Sequence, residues 1–191
     1  METFEIIKKY LSPMITIPPL EWVALVRCLK VKHIKKDSFF FRQGENVFEI
    51  GYVQKGLLYN FYTDEDGNEL VKYFISSGKL VAAYSSLILS RPAIASCKAL
   101  EDTTIITIQY EDLLNLYKRH ACWERMGRLG AEEQFVEKEI REYQFLANTA
   151  SERYNFFVRE NPDLINRIPQ YLIASFLGIS PVSLSRLRNP N

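Results

Sequence analysis

A short segment near the end of the chain, SPVSLSRLR, contains three serines, a valine and two arginines. Ser180, Val182 and Ser183 are followed by Arg186 and Arg188. Guanidinium groups bind phosphate oxygens or the edge of guanine, and a valine methyl group can contact the methyl group of thymine. These five residues are therefore candidates for contact with double-stranded DNA.

Two short helices joined by a tight turn would position these side chains. Ile173 and Leu177 are four residues apart, so they share one face of the first helix. Gly178 lies where that helix must end, and Ser180 and Pro181 suit the N-cap and first position of the second helix. This order is typical of a helix-turn-helix, whose second helix enters the DNA major groove. The alternative is an ordinary helical hairpin that packs a core and binds nothing.

The charge distribution along the chain also favours contact with phosphate at this end. The net charge of the 191 residues is only +1. However, no acidic residue follows Asp163, whereas Arg167, Arg186 and Arg188 do. The C-terminal end of the chain can therefore approach DNA phosphates without local repulsion. Because its positive charge is modest, strong binding would need two copies of the chain side by side.

Composition excludes several other classes of protein. With 47% hydrophobic and 25% charged residues the sequence predicts a soluble globular protein, and we expect it in the cytoplasm because no secretory signal or membrane span is evident. Three scattered cysteines and two isolated histidines give no metal-ligand spacing, so we expect no cofactor. No Ser–His–Asp order, P-loop or dinucleotide pattern indicates an enzyme.

The first 110 residues predict a mostly β domain. Residues 1–30 have helical spacing interrupted by Pro18 and Pro19, and from residue 31 short runs of β-branched and aromatic residues are separated by regular turn signals. The segment LLYNFYTDEDGNELVKYF is the clearest hairpin. A further strand pair is expected at 95–100 and 103–108, joined by Glu101-Asp102.

A long helix is predicted from Tyr110 to about residue 148. Its apolar residues follow 4-3 spacing, which indicates packing against a second copy of the helix. Glu133 interrupts this apolar seam, and a long helix that lies on its own domain is the alternative. The predicted dimer seam consists of Met126, Leu129, Glu133, Val136, Ile140 and Tyr143.

Four motifs resemble the family of the cyclic AMP receptor protein and the Fnr regulators. They are FRQGE at 41–45, KGLLYNFYTDEDGNE at 55–69, ALEDTTIITI at 99–108 and PQYLIASFLGISPVSLSRLR at 169–188. The last is the most specific and is similar to the short-tailed branch of the family common in Bacteroidetes.

This resemblance implies an α+β protein in three parts. We expect an N-terminal jelly-roll domain (1–110) that is cyclic-nucleotide-binding-like, a dimerisation helix (111–148) and a C-terminal helix-turn-helix domain (149–191) without a terminal wing hairpin. The implied function is transcription control by a homodimer on a palindromic operator, with RNA polymerase as a further partner. The alternative is an interaction or ligand-sensing module that has lost DNA binding.

Two segments of the chain differ from the motif by which the family's members bind cyclic nucleotides. Cyclic-nucleotide binders of the family have Gly-Glu-Leu where this chain has Gly78-Lys79-Leu80, and an arginine followed by a hydroxyl residue where it has Arg91-Pro92-Ala93. The cysteines do not suit an iron–sulfur cluster, nor the histidines a haem. We therefore expect an unknown small-molecule effector that is not cyclic AMP. The implied effector-pocket residues are Lys79, Leu80, Val81, Arg91, Glu137 and Lys138.

Overall fold

Eight β-strands form two antiparallel sheets in the computed structural model, which describes residues 2–188. The strands are β1 (Leu29–Ile34), β2 (Phe39–Phe41), β3 (Glu49–Lys55), β4 (Leu57–Thr63), β5 (Glu69–Ser76), β6 (Leu80–Val81), β7 (Ser96–Ala99) and β8 (Thr103–Gln109). One sheet has the order β1-β8-β3-β6 and the other has the order β2-β7-β4-β5. The predicted β-sandwich and the hairpin formed by β4 and β5 are confirmed.

The two sheets pack face to face, and alternate residues of β4 enter two different cores. Leu58 points between the sheets, where it packs with Val53 of β3 and Ile105 of β8. Tyr59 and Phe61 point to the other side of the sheet, where they pack against the C-terminal helices. Both faces of β4 are therefore buried, which explains its nearly continuous apolar sequence.

The predicted strand pair at 95–100 and 103–108 is wrong. Both strands exist, but β7 pairs with β2 and β4, whereas β8 pairs with β1 and β3 in the opposite sheet. The connecting corner is held by other parts of the chain: Asp102 accepts from the Lys36 amide at 2.9 Å, and Thr103 Oγ1 accepts from the Leu57 amide at 3.3 Å. The three-residue link, Leu100 to Asp102, therefore crosses from one sheet to the other.

Eight helices surround the sandwich in the described part of the chain. They are α1 (Glu2–Leu11), α2 (Pro19–Cys28), α3 (Tyr84–Leu89), α4 (Tyr110–Arg119), α5 (Ala121–Ala147), α6 (Ala150–Glu160), α7 (Gln170–Leu177) and α8 (Pro181–Arg188). α1 and α2 cover the outer face of β8 together with the start of α5, through a core that includes Leu11, Leu25, Ile106 and Trp123. None of these helices has an apolar stretch long enough to cross a membrane.

The helix predicted over 111–148 is interrupted at His120. This residue has extended dihedral angles (φ −155°, ψ 137°), and its Nδ1 accepts from the Cys122 amide at 3.1 Å, which caps α5. Trp123 is completely buried just after the break, and its indole N–H donates to Glu21 at 2.9 Å. The start of α5 is thus anchored to α2, and α5, with 27 residues, is the longest of the described helices and the main part of the predicted dimerisation helix.

The C-terminal helices pack against the sandwich. Thr149 and Glu152 form a capping box that starts α6. Leu172, Ile173 and Leu184 share one core with Tyr59 and Phe61 of the outer face of β4. The segment predicted as a separate domain, 149–191, is therefore joined to the sandwich by a continuous apolar core. The predicted absence of a wing concerns residues 189–191, which lie outside the described residues.

Candidate nucleic-acid interface and effector cavity

The turn between α7 and α8 has the geometry that the sequence predicts. Gly178 adopts a left-handed conformation (φ 67°, ψ 38°), the Ile179 amide donates to Ala174 O at 3.0 Å, and the Gly178 amide donates to Ser175 O at 3.1 Å. These two hydrogen bonds form a Schellman motif. A Cβ atom at Gly178 would lie 2.8 Å from Cε1 of Phe145. The left-handed backbone conformation therefore favours glycine, and a Cβ atom would in addition require the ring of Phe145 to shift.

The beginning of α8 is fixed by Ser180. Its Oγ accepts from the Ser183 amide at 3.1 Å and lies 2.9 Å from Ser183 Oγ, while Pro181 is the first helical residue. Leu184 is completely buried and fixes the rotation of α8 about its axis. Local capping and one buried leucine thus define which side chains of α8 face solvent.

The exposed face of α8 carries four of the predicted DNA-contact residues. Ser180, Ser183 and Arg186 are exposed, Val182 is 61% exposed, and Arg188 is half-buried. Neither arginine has an ion-pair partner within residues 2–188. This surface is continuous along one side of the helix and offers hydroxyl, methyl and guanidinium groups.

Polar contacts fix α7 to the edge strand β5. Ser175 Oγ donates to Glu69 O at 2.7 Å and accepts from the Val71 amide at 3.0 Å. Arg141 Nη2 on α5 donates to Val71 O at 3.2 Å and to Phe176 O at 3.1 Å. None of these contacts is predicted from the sequence, because each joins residues that are far apart along the chain.

A bidentate ion pair makes a further contact between the sandwich and the C-terminal region. Arg167 donates from Nε and Nη2 to the carboxylate of Glu101, both at 2.8 Å, and this hydrogen bonding holds the pKa of Glu101 below its ordinary value. Glu101 lies at the corner between β7 and β8, and Arg167 lies just before α7. The position of α7 and α8 is thus set by the sandwich.

The predicted dimer seam on α5 divides into two parts. Met126 and Leu129 are half-buried against the core of their own chain. Further along the helix, Val136, Ile140 and Tyr143 are 50%, 44% and 61% exposed. Glu133 is also exposed, and Leu146, which the heptad spacing did not include, is 81% exposed and three residues after Tyr143. We name Val136, Ile140, Tyr143 and Leu146 the α5 stripe.

A cavity of about 590 Å³ lies between the sandwich and helices α3, α5, α6 and α7. Of the residues predicted to line an effector pocket, Lys79, Leu80, Val81, Glu137 and Lys138 line this cavity. Arg91 does not: its side chain is exposed, and its carbonyl accepts a hydrogen bond from Ser86 Oγ on α3. The structure therefore brings five of the six predicted residues together.

The charge of Lys79 is already neutralised. Its Nζ lies 2.7 Å from Glu137 Oε1 and 3.7 Å from Glu133 Oε1. Partial burial opposes the charged form, but the hydrogen bond that Lys79 donates to Glu137 and the charges of the two nearby carboxylates outweigh it and raise the pKa of Lys79. Lys79, which the sequence resemblance aligns with the family's ribose acceptor, thus forms an internal ion pair with Glu137.

Two polar residues of the cavity, Arg141 and Asn60, were not predicted from the sequence. Desolvation lowers the pKa of the Arg141 guanidinium to about 10, and no carboxylate pairs with it within the described residues. The side chain of Asn60 is only 8% exposed, and its Oδ1 has no hydrogen-bond partner. Asn60 carried a sequence signal, because it is a polar residue inside an apolar strand, whereas Arg141 is one of many charged residues of α5.

The cysteines and histidines lie apart from this cavity. Cys97 and Cys122 are buried, Cys28 is half-buried, and burial raises the pKa of each thiol. His33 is exposed beside Thr104. Within residues 2–188 no three His, Cys, Asp or Glu side chains are grouped in a way that could hold a metal ion.

Comparison with known proteins agrees with this architecture. Residues 31–120 match the family model described as "Cyclic nucleotide-binding domain". No curated protein sequence is significantly similar to the chain. The structure is similar to that of FixK2 from Bradyrhizobium japonicum, with a TM-score of 0.74 and 17% identity over 84% of this chain and 82% of that one. The structure is also similar to that of a transcriptional regulator described as "of the crp/fnr family" from Eubacterium rectale, with a TM-score of 0.69 and 17% identity over 90% of this chain and 82% of that one.

The fold is similar to that of transcription regulators of the Crp/Fnr type. A catabolite activator protein from Thermus thermophilus has 22% identity and a TM-score of 0.56, over 90% of this chain and 82% of that one. The c-di-GMP-responsive global regulator CLP from Xanthomonas campestris has 14% identity and a TM-score of 0.69, over 89% of each chain. Because these identities are low, the similarity establishes a Crp/Fnr-type fold rather than a shared ligand or target.

Proposed function

We propose that the chain is a sequence-specific DNA-binding transcriptional regulator of the Crp/Fnr type, belonging to the short-tailed, Bacteroidetes-type branch. It acts in the cytoplasm as a homodimer and responds to an effector other than cyclic AMP. The observation that carries the proposal is the face of α8 on which Val182, Ser183 and Arg186 are exposed to solvent beside a capped helix start.

Each residue of this face has a distinct role in the proposal. The start of α8 at Ser180 meets a phosphate, because the Val182 amide, which has no partner in the described chain, and the helix dipole favour an anion. Val182 and Ser183 lie in the first turn, the part of a recognition helix nearest the base edges. Arg186 donates to a guanine with two N–H groups, whereas Arg188, which is half-buried, contacts phosphate only.

The α5 stripe joins two copies in the proposed dimer. Exposed apolar side chains along one helix face are costly in water and mark a surface for association. A two-fold axis along paired α5 helices would present two copies of α8 to DNA, so the operator would be palindromic. RNA polymerase is the further partner expected for a transcription regulator of this type.

Cyclic AMP is not the effector in this proposal. Lys79 stands where an acceptor for the ribose is needed and is paired with Glu137, Pro92 lacks an amide donor, and Arg91 does not line the cavity. Calorimetric titration with cyclic AMP and with cyclic GMP should therefore detect no binding tighter than about millimolar. Micromolar binding of either nucleotide would contradict this part of the proposal.

A salt titration distinguishes the proposed regulator from a module that has lost DNA binding. A protein that neutralises phosphates releases counterions, so its affinity for duplex DNA should fall steeply as salt rises. We expect the wild-type protein to show this slope and the variant Arg186→Ala with Arg188→Ala to show a smaller one. Absence of duplex binding at low salt would favour the interaction module.

A further inference from the structure

Exposed apolar side chains are concentrated in two segments of the chain. Of the nineteen large apolar side chains that are exposed in residues 2–188, ten lie within residues 84–94 and 121–147. The α5 stripe accounts for four of them, and Phe135 of α5, which lies outside the stripe, is 67% exposed. Four more lie in and just after α3 and are between 48% and 61% exposed. We name these four residues, Tyr84, Ile88, Leu89 and Ile94, the α3 patch.

The segment that carries the α3 patch is almost uncharged. From Leu80 to Cys97 it contains one charged residue, Arg91, although 25% of the whole chain is charged. Few charges among exposed apolar side chains are typical of the central part of a protein–protein interface. The loop after α3 is folded back onto the helix, because the Arg91 amide donates to Ser86 O at 3.2 Å and Ser86 Oγ donates to Arg91 O. The helix and the loop are therefore held together as one surface.

The α5 stripe alone offers less apolar surface than a permanent homodimer buries. Such dimers bury roughly 1,000 Å² or more on each partner, and about two thirds of this area is apolar. At the exposure observed, the four side chains of the stripe offer on the order of 400 Å². The α3 patch and Phe135 together add roughly 500 Å². A dimer that uses both surfaces therefore reaches the usual area.

The α3 patch adjoins the α5 stripe on one side of α5. Ile140 of the stripe and Ile94 of the patch are both exposed, and both line the cavity of about 590 Å³. Phe135 lies on the other side of α5, where it lines a second cavity together with Leu11 of α1 and Tyr117 of α4. The two sides of α5 thus carry different apolar groups.

Helical geometry places these groups on opposite sides of the stripe. At about 100° per residue, Phe135 is rotated about 100° from Val136 in one direction, and Ile140 is rotated about 40° in the other. Leu146, eleven residues after Phe135, lies within about 20° of Phe135 around the helix axis. Phe135 and Leu146 therefore form one edge of the stripe, and Ile140 forms the edge next to the α3 patch.

A two-fold axis brings opposite edges of the two copies together. When two parallel α5 helices pack through the stripe, the Ile140 edge of one copy lies beside the Phe135 edge of the other copy. The α3 patch extends the Ile140 edge, so it faces Phe135 of the second copy. The same contact then occurs twice, once on each side of the axis.

We infer that the α3 patch is an interface with a second copy of this chain, on which Phe135 of that copy packs. The inference rests on the proposed function, because it presupposes the homodimer and names a second surface of it. Each copy is then held by the β-sandwich domain of the other copy as well as by its α5. This explains why a phenylalanine outside the stripe and an uncharged segment of the sandwich are both exposed in the single chain.

A pair of matched phenylalanine substitutions tests the contact. Sedimentation velocity on the full-length chain without DNA measures dimerisation. Phe135→Glu places a charge against the apolar α3 patch and should weaken dimerisation at least tenfold. Phe48→Glu changes a phenylalanine that is equally exposed, at 66%, just before β3, and should change dimerisation less than twofold. Unchanged dimerisation in Phe135→Glu, or equal weakening in Phe48→Glu, would overturn the inference.

A charge pair tests whether Phe135 and Ile94 face each other. Ile94→Lys alone should weaken dimerisation at least fivefold. In the double variant Phe135→Glu with Ile94→Lys, each glutamate faces a lysine of the other copy, so dimerisation should recover at least fivefold relative to Phe135→Glu. A double variant that dimerises no better than Phe135→Glu would contradict the assignment.

Cross-linking tests the same contact without a charge. Chains with Ile94→Cys and chains with Phe135→Cys are mixed and treated with a short bismaleimide. Because each chain carries one substitution, a cross-link between positions 94 and 135 can form only between copies. Mass spectrometry should find this cross-link in the mixture. Its absence from a mixture that sediments as dimers would overturn the inference.

The stripe variant Val136→Asp with Ile140→Asp separates this inference from the proposed dimer. If that variant is monomeric while Phe135→Glu dimerises like the wild type, the α3 patch is not part of the interface and the dimer through the α5 stripe stands. A wild-type chain that sediments as a monomer would contradict both.

Discussion

Helices α5 and α8 both expose side chains that their own chain does not cover, but the two surfaces differ in chemistry. The α5 stripe consists of large apolar or aromatic residues, and its members are between 44% and 81% exposed. The face of α8 combines one exposed valine with hydroxyl groups and arginines. An apolar stripe is suited to pack against a second apolar surface. A face with arginines and hydroxyl groups is suited to bind DNA, which offers phosphates and the edges of its bases. The proposed dimer interface and the proposed DNA-binding surface thus lie on different helices.

Placing charge in the α5 stripe should give the largest effect. In Val136→Asp with Ile140→Asp, dimerisation would bury like charges without partners, which costs about 3–5 kcal/mol or more. We expect sedimentation velocity to show monomers, with dimerisation weakened by at least about a hundredfold.

A matched pair of substitutions elsewhere tests whether this effect is specific. Val26→Asp with Leu114→Asp places the same charges on exposed apolar positions of α2 and α4. This control should remain dimeric. A dimeric stripe variant, or a monomeric control, would show that the α5 stripe is not the seam.

On α8, the two arginines should behave differently. Arg186→Ala should cost about 1–3 kcal/mol and relax the preference at one base pair in each half-site, whereas Arg188→Ala should weaken all sequences alike. The measurement is binding of both variants to a panel of single-base operator variants. Uniform weakening by Arg186→Ala, with base preferences unchanged, would assign Arg186 to phosphate instead.

The valine of the α8 face should affect which base is preferred. Val182 can contact a thymine methyl group but cannot accept a hydrogen bond, whereas glutamate can accept from the cytosine amine. Val182→Glu should therefore shift the preference at one position of each half-site toward cytosine by about 1–2 kcal/mol. The same operator panel measures the shift, and an unchanged preference would place Val182 away from the base edges.

Ser180→Ala should have the smallest effect. It removes the side-chain cap of α8, which costs about 1 kcal/mol of stability, and slightly perturbs the start of the helix that meets the phosphate. Thermal unfolding should show a small loss of stability, and DNA affinity should fall modestly for every sequence. A change in base preference would mean that Ser180 reads a base.

The α7–α8 unit could be predicted because its signals are local. Gly178, Ser180 and Pro181 determine the turn and the cap through their own backbone preferences, and Leu184 supplies the buried contact. The hairpin of β4 and β5 could be predicted equally well, because its turn residues lie between two apolar strands. In both regions the residues that determine the turn lie within a few positions of the turn itself.

Other features depend on distant contacts and were missed for that reason. The break at His120 follows from the docking of Trp123 on Glu21, which is about a hundred residues earlier. Strand β8 pairs with β1 and β3 because Asp102 is held by the connection between β1 and β2, which no local turn signal reveals. In the sequence Arg141 is an ordinary charged residue of a polar helix. Its burial could not be predicted, because it results from contacts with β5 and α7, which are far away along the chain.

Selection of bound DNA from a random duplex pool tests the function of the α8 face most directly, since it requires no chosen operator. The proposed dimer should enrich a palindrome whose two half-sites are about one helical turn apart, 10–10.5 base pairs from centre to centre. Arg186→Ala should lose the enrichment at one position of each half-site. A pool in which no sequence is enriched, or in which only unpaired half-sites are enriched, would contradict a dimeric DNA-reading protein.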